Sequence, residues 1–98
     1  MFTTLRVYEL SSAWDDELQK HLEDGFLPEL RQLPGFVAYY ALEAGPRLFA
    51  SVTVFTDRAG AEASNRTAGR YVSQHLADRF PSLPEITLGE VRAHATAA

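Results

Sequence analysis

The stretch NRTAGRYVSQH, residues 65–75, holds the side chains whose chemistry is most suggestive. Asn65 can donate and accept hydrogen bonds through its amide, and His75 can exchange protons near neutral pH. The segment has helical spacing, and at about 100° per residue Asn65 falls on the centre line of the apolar stripe, with His75 at its edge. One interpretation is a pocket in which His75 accepts a proton from a ligand and Asn65 orients an oxygen atom.

A structural interpretation of the same residues stays open. Asn65 could be a buried amide that bonds a backbone carbonyl or a water, since buried polar groups are satisfied. His75 could be a half-exposed residue near the end of its helix, where the dipole favours the protonated ring. Gly69, in the same helix, costs about 1 kcal/mol relative to Ala and so predicts close approach to a neighbouring element.

Most signatures of cofactors and catalysis are missing from the sequence. There is no Cys, which excludes disulfides, thiolate nucleophiles and cysteine-based metal sites. His21 and His94 lie on other segments than His75, and no HExxH spacing occurs, so we expect no metal site. No G-x-S-x-G, Walker or dinucleotide-binding pattern occurs. We therefore expect no cofactor.

Length and composition predict one soluble globular domain over residues 1–98. The net charge of −4 argues against nucleic acid as a partner, because phosphate binding needs a concentrated positive surface. The start MFTTLRVYEL lacks the features of a signal peptide, and the longest apolar run, FVAYYAL, is far shorter than the ~20 residues of a membrane-spanning helix. We expect a cytoplasmic protein without a membrane partner.

The elements that position these residues follow in the order β-α-β-β-α-β. The predicted strands are TLRVYEL (4–10), FVAYYALE (36–43), RLFASVTVF (47–55) and EITLGEVRA (85–93). The second helix is predicted to begin after Thr56 or Asp57 and to run to about Phe80. This order predicts an α+β, ferredoxin-like fold, an antiparallel sheet with two helices on one face.

The first helix carries its own start and stop signals. Ser12 and Asp15 have the spacing of a capping box. Pro28 cannot donate a backbone hydrogen bond, so the helix is predicted to kink or restart there and to end near Leu33.

The strand RLFASVTVF is apolar on both faces. One face holds Leu48, Ala50, Val52 and Val54, and the other holds Phe49, Ser51, Thr53 and Phe55. The two helices can cover only one face of the sheet, so the other face needs another cover. We therefore predict a homodimer in which the two sheets face each other, with Leu48, Ala50, Val52 and Val54 at the interface.

The segments LPGFVAYYAL and RLFASVTVFTDRAGAEAS resemble the antibiotic biosynthesis monooxygenase family of the dimeric α/β-barrel superfamily. The resemblance implies a ferredoxin-like fold, dimerisation through the sheets into a dimeric α/β barrel, and a pocket between sheet and helices in each subunit. Members of the family include cofactor-independent monooxygenases of polycyclic phenols, quinol oxidases and haem-degrading enzymes.

The resemblance also suggests candidate site residues. Ser51 and Phe55 stand where the polyketide monooxygenases have an Asn and a Trp facing the pocket. His75 stands near the iron-ligating His of the haem degraders, but Ser64 or Asn65 replaces their Trp and the first strand has no Asn. The candidate catalytic residues are thus His75 and Asn65, and the candidate substrate-binding residues are Ser51, Phe55, Phe49, Val72, Tyr71 and Trp14.

Three functions follow as hypotheses. The first is a cofactor-independent monooxygenase acting on a small apolar aromatic of the phenol or quinol type, in a pocket between sheet and helices. The alternative is a non-catalytic, dimeric module that binds a small molecule or acts as an accessory protein. Haem degradation is the third.

Overall fold

The computed structural model describes residues 1–97. Its helical elements are α1 (Asp16–Lys20), a π-helical turn (His21–Phe26), α2 (Leu27–Arg31) and α3 (Arg58–His75). Its strands are β1 (Phe2–Glu9), β2 (Phe36–Glu43), β3 (Leu48–Phe55) and β4 (Glu85–Glu90). No helix in this part of the chain is long and apolar enough to cross a membrane.

The four strands form one antiparallel sheet in the order β2-β3-β1-β4. The predicted α+β ferredoxin-like fold is therefore confirmed. The first strand, β1, lies inside the sheet and pairs with the last, the edge strand β4, from Phe2 with Glu90 to Val7 with Glu85. A bulge at Val37 shifts the β2–β3 register by one residue.

The first helical segment departs from its predicted start. The capping box on Ser12 is wrong, because the Asp15 carboxylate accepts the N–H of Leu18 and the helix begins at Asp16. Before Pro28 the backbone widens into the π-helical turn, where the N–H of Leu27 reaches the carbonyl of Leu22, five residues back. The irregularity expected at Pro28 thus lies one turn earlier.

Helix α3 begins as predicted at Asp57, whose carboxylate accepts the N–H of Gly60 at 2.9 Å. It ends at His75 rather than near Phe80, and β4 ends at Glu90 rather than at residue 93. The centre line predicted through Asn65 is also wrong. The buried residues of α3 are mostly small, which allows close packing; they are Gly60, Ala61, Ser64, Thr67, Ala68 and the larger Tyr71. Asn65 lies beside this line and is half-buried.

The two faces of the sheet differ as the alternating pattern of β3 predicts. The face under the helices buries Phe49, Ser51, Thr53 and Phe55. On the opposite face Tyr40 is 61% exposed and Leu42 48%. Leu48, Ala50, Val52 and Val54 lie on this open face, which no element of residues 1–97 covers.

Candidate functional site

The most unusual side chain of the interior is Arg6, on the inner strand β1. It is only 2% exposed. Its Nη1 donates to Asn65 Oδ1 and its Nη2 to Thr53 Oγ1, both at 2.9 Å. Burial lowers the pKa of Arg6, but a guanidinium still keeps its proton at neutral pH. Within the described chain no ion pair includes Arg6, so its charge is buried among neutral groups.

The strand alternation explains how Arg6 reaches the interior. Residues of β1 alternate between the two faces, and Leu5 and Val7 take the open face. Arg6 therefore points towards the helices, opposite Ser51 of β3 and Ile86 of β4. Ser51 is also 2% exposed, and its hydroxyl has no hydrogen-bond partner among residues 1–97. A polar centre thus lies on the middle of the sheet, beneath the helices.

A small cavity of about 20 Å³ lies directly above this centre, between sheet and helices. Its volume accommodates about one water molecule. Aromatic rings form much of its wall, and the lining residues are Arg6, Tyr8, Leu22, Phe26, Tyr39, Phe49, Ser51, Ala68, Tyr71, Val72, Leu76 and Phe80. We call this space the interior cavity.

A larger cleft of about 380 Å³ lies between α3 and the segment that leads into β4. Arg6, Tyr8, Val72 and Phe80 line both this cleft and the interior cavity, so they form the wall between the two spaces. The remaining lining residues are Asn65, Gly69, Ser73, Ala77, Pro81, Ser82, Leu83, Pro84 and Ile86. We call this space the α3–β4 cleft.

Gly69 opens onto the α3–β4 cleft. The close approach predicted for it is wrong, because no described atom outside the adjoining backbone of α3 and its two neighbouring residues lies within 4 Å of the position that a Cβ would take. Close approach occurs instead at Gly25 in the π-helical turn, where a Cβ would overlap the Tyr71 hydroxyl.

The titratable groups on these walls are basic or phenolic. Burial raises the pKa of Tyr39 to about 12, against the opposing charge of Arg6. Burial likewise raises the pKa of Tyr8. Both hydroxyls are therefore protonated at neutral pH and can donate hydrogen bonds. Neither space has an Asp, Glu or His in its described lining.

His75 lies outside both spaces, at the exposed end of α3. Its ring is 4.6 Å from that of Tyr71 and 6.2 Å from that of His21, between centroids. The Tyr71 hydroxyl is 2.9 Å from His21 Nδ1, and this contact joins α3 to the π-helical turn. Among residues 1–97 no group of His, Cys, Asp and Glu is arranged to hold a metal ion.

The structure therefore separates the two candidate catalytic residues, with Asn65 in the cleft wall and His75 on the surface. Of the candidate substrate-binding residues, Ser51, Phe49, Val72 and Tyr71 line the interior cavity. Phe55 is fully buried against Phe36 and Gly60 and lines neither space. Trp14 also lines neither; it stacks on Phe49 at 5.0 Å between ring centroids.

Arg6 and Tyr39 are the residues that the sequence reasoning missed. The alternation of β1 predicts the position of Arg6. Leu5 and Val7 point to the open face, so Arg6, which lies between them, points to the covered face. A charged residue at such an inward position is rare without a partner or a role.

No family model and no curated protein matches the chain, but solved structures do. A Nitrosomonas europaea protein of unknown function, NE2512, is 25% identical, with a TM-score of 0.78 over 99% of this chain and 94% of that one. SnoaB, a cofactor-independent oxygenase from Streptomyces nogalater, is 18% identical, with a TM-score of 0.71 over 95% and 94%. The monooxygenase ActVA-Orf6 from Streptomyces coelicolor, solved with Nanaomycin D, is 12% identical, with a TM-score of 0.68 over 99% and 92%.

The chain has the fold of the antibiotic biosynthesis monooxygenases. The resemblance seen in the sequence is thus confirmed at the level of the fold. In this chain the helix-covered side of the sheet, with Arg6 at its middle, borders both the interior cavity and the α3–β4 cleft.

Proposed function

We propose that the protein is a cofactor-independent oxygenase of a small aromatic molecule of the phenol or quinol type, bound in the α3–β4 cleft. The observation that carries the proposal is a cleft of about 380 Å³ separated from an aromatic interior cavity only by side chains. Small-molecule sites commonly have about 300–1,000 Å³ and mostly apolar walls. The shared fold with SnoaB, a cofactor-independent oxygenase, supports the same reaction class.

The reaction balances without an external reductant. Dioxygen is the oxidant, and it converts a phenol with a free ring C–H into a quinone and water. One oxygen atom becomes the new quinone carbonyl and the other leaves as water, while the aromatic supplies all the electrons. The protein then has to bind the ring away from water and stabilise developing charge.

Asn65 suits this task better than His75. Its amide lines the α3–β4 cleft and is fixed by the bond from Arg6, so it can orient a substrate oxygen. His75 takes no part in the proposal, because its exposed ring lies outside both spaces. Haem degradation is not proposed for the same reason.

We also propose that the protein is a homodimer through the open face of its sheet. Leu5, Val7, Tyr40 and Leu42 expose between 38% and 61% of their surface there. An apolar area of this kind on a soluble protein marks an interaction surface. A second copy supplies a face of the same shape and character, as a twofold interface requires.

A binding module without catalysis is the second candidate. It is favoured by the absence of Asp, Glu and His from the described lining of both spaces, which leaves no ordinary general base.

Oxygen uptake with a panel of naphthols and quinols separates the two functions. We expect one dioxygen consumed per quinone formed, with no added reductant, flavin or metal. Ligand binding measured by calorimetry without any oxygen uptake across the panel would refute the oxygenase and support the binding module. As a matched control, His75→Ala should retain the parent rate, whereas Asn65→Ala should lower it.

A further inference from the structure

We propose that Arg6 is an anion-recognition site, and that the protein binds an aromatic ligand through a single anionic oxygen group, a carboxylate or a phenolate. This deepens the proposed function, on which it rests only for the aromatic character of the ligand. Binding is measured without turnover, so the two proposals can fail separately.

The first step is the missing counter-charge. A buried cation is normally paired, because removing it from water is costly. Arg6 is 2% exposed, and the side chains that it contacts are the neutral groups of Asn65, Thr53 and Tyr39. None of the carboxylates in residues 1–97 lies within ion-pair distance of it. An anion arriving from outside the chain would complete the site.

The second step is the remaining hydrogen-bonding capacity. Two N–H groups of Arg6 donate to Asn65 and Thr53, one from each terminal nitrogen, and the Tyr39 hydroxyl lies within hydrogen-bonding reach of the same guanidinium. A guanidinium has five N–H groups, so donors remain for an oxygen anion. The Ser51 hydroxyl is unpartnered within the described chain, 2% exposed, and lines the interior cavity beside Arg6. The Tyr39 hydroxyl, protonated because its pKa is about 12, also lines that cavity. The site thus offers donors and positive charge together.

The third step is access. Arg6 contributes to the wall of both the α3–β4 cleft and the interior cavity, but it is 2% exposed, so wall side chains must move aside before a ligand in the cleft can contact its guanidinium. Gly69 leaves the cleft wall open, because no described atom fills the space beside it. Phe80, Pro84 and Ile86 form apolar walls suited to an aromatic ring. The ring would lie in the cleft and the anionic group would point inwards at Arg6.

The experiment compares two ligands of the same shape. Calorimetry with 2-naphthoate and its neutral amide, 2-naphthamide, should show roughly tenfold to hundredfold tighter binding of the carboxylate, as hydrogen bonds to charged groups predict. Arg6→Met should abolish the preference, and Arg6→Lys should retain part of it. Equal binding of the two ligands by the parent protein, or a preference that survives Arg6→Met, would overturn the proposal.

A second pair of variants leaves the buried Arg6 in place, so it tests the site even if substitutions of Arg6 unfold the protein. Gly69→Leu should fill the α3–β4 cleft and weaken naphthoate binding at least roughly tenfold, since an overfilled site rejects its ligand. Gln74→Leu, also exposed on α3 but outside the cleft, should bind as the parent does. Parent-like binding by Gly69→Leu would place the aromatic ring outside the α3–β4 cleft and overturn the assignment.

Binding of 2-naphthol shows whether the anionic group that the site takes is a phenolate or a carboxylate. If the site takes phenolates, the bound naphthol will show the absorption of the naphtholate at neutral pH, because a buried cation stabilises the anion. If it takes carboxylates only, naphthol will bind as weakly as the amide while naphthoate binds tightly. Both results support the anion site. Tight binding of naphthol in its neutral form, equal to that of naphthoate, contradicts it.

Discussion

The two faces of the sheet differ in an unexpected way: the covered face buries several polar side chains, and the open face exposes several apolar ones. The covered face buries the polar side chains of Thr4, Arg6, Ser51 and Thr53, each at most 2% exposed, whereas the open face exposes Leu5, Val7, Tyr40 and Leu42. An isolated protein normally buries apolar groups and exposes polar ones. The two proposals answer this pattern separately: the proposed ligand would account for the buried polar groups of the covered face, and the proposed second sheet for the apolar groups of the open one.

The largest expected effect tests the open face. Val52 pairs with Leu5 on one side and Tyr40 on the other, at the middle of this face. We expect the parent to be a dimer at micromolar concentration by light scattering, and Val52→Lys to be monomeric, because a buried unpaired ammonium is costly. Gln74→Lys carries the same charge change on exposed α3 and should stay dimeric. A monomeric parent would remove the explanation for the open face.

The next effect concerns how closely the π-helical turn packs against α3. At Gly25 an added Cβ would overlap the Tyr71 hydroxyl, which also donates to the carbonyl of His21 at 3.2 Å. We expect Gly25→Ala to lower the free energy of unfolding by about 1–3 kcal/mol in chemical denaturation. Gly69→Ala has open space and should raise it by up to about 1 kcal/mol. Two variants of equal stability would contradict the tight packing at Gly25.

A smaller effect follows from the ionisation of Tyr39 on the covered face. Burial raises its pKa in the folded state to about 12, above the ordinary tyrosine value of about 10. The folded state therefore holds this proton more tightly, and the stability it contributes is present below pH 10 and lost as the pH rises through 12. Denaturation at increasing pH should show a fall in the free energy of unfolding over this range, and Tyr39→Phe should show a shallower fall. An unchanged slope in Tyr39→Phe would assign the fall to other groups.

Strand alternation and turn signals were enough to predict the fold. The period of two in β3 separated Leu48, Ala50, Val52 and Val54 from the covered face, and the structure confirms that division. The cap at Asp57 was predictable because its side chain bonds a backbone N–H three residues away. Such local rules do not depend on how the elements pack.

The candidate site was less predictable because it depends on packing between elements. The helix period identified an apolar stripe, but small residues such as Ala61 and Ser64 determine which side of α3 lies on the sheet. His75 is exposed at the C-terminal end of α3 and lines neither space, which the helix period alone did not indicate. Arg6 could have been inferred from the alternation in β1, but only after the open face had been assigned to Leu5 and Val7.

The smallest expected effect compares two hydroxyls on the covered face of β3. Thr53 Oγ1 accepts a bond from Arg6, whereas Ser51 Oγ has no partner within residues 1–97. Thr53→Val should lower the free energy of unfolding by about 1–3 kcal/mol, because it leaves a charged donor unpaired. Ser51→Ala should change it by less than about 1 kcal/mol, since no bond is lost. If Ser51→Ala is as destabilising as Thr53→Val in chemical denaturation, the Ser51 hydroxyl is already bonded in the ligand-free protein, and it is then not a free donor for an anion at Arg6.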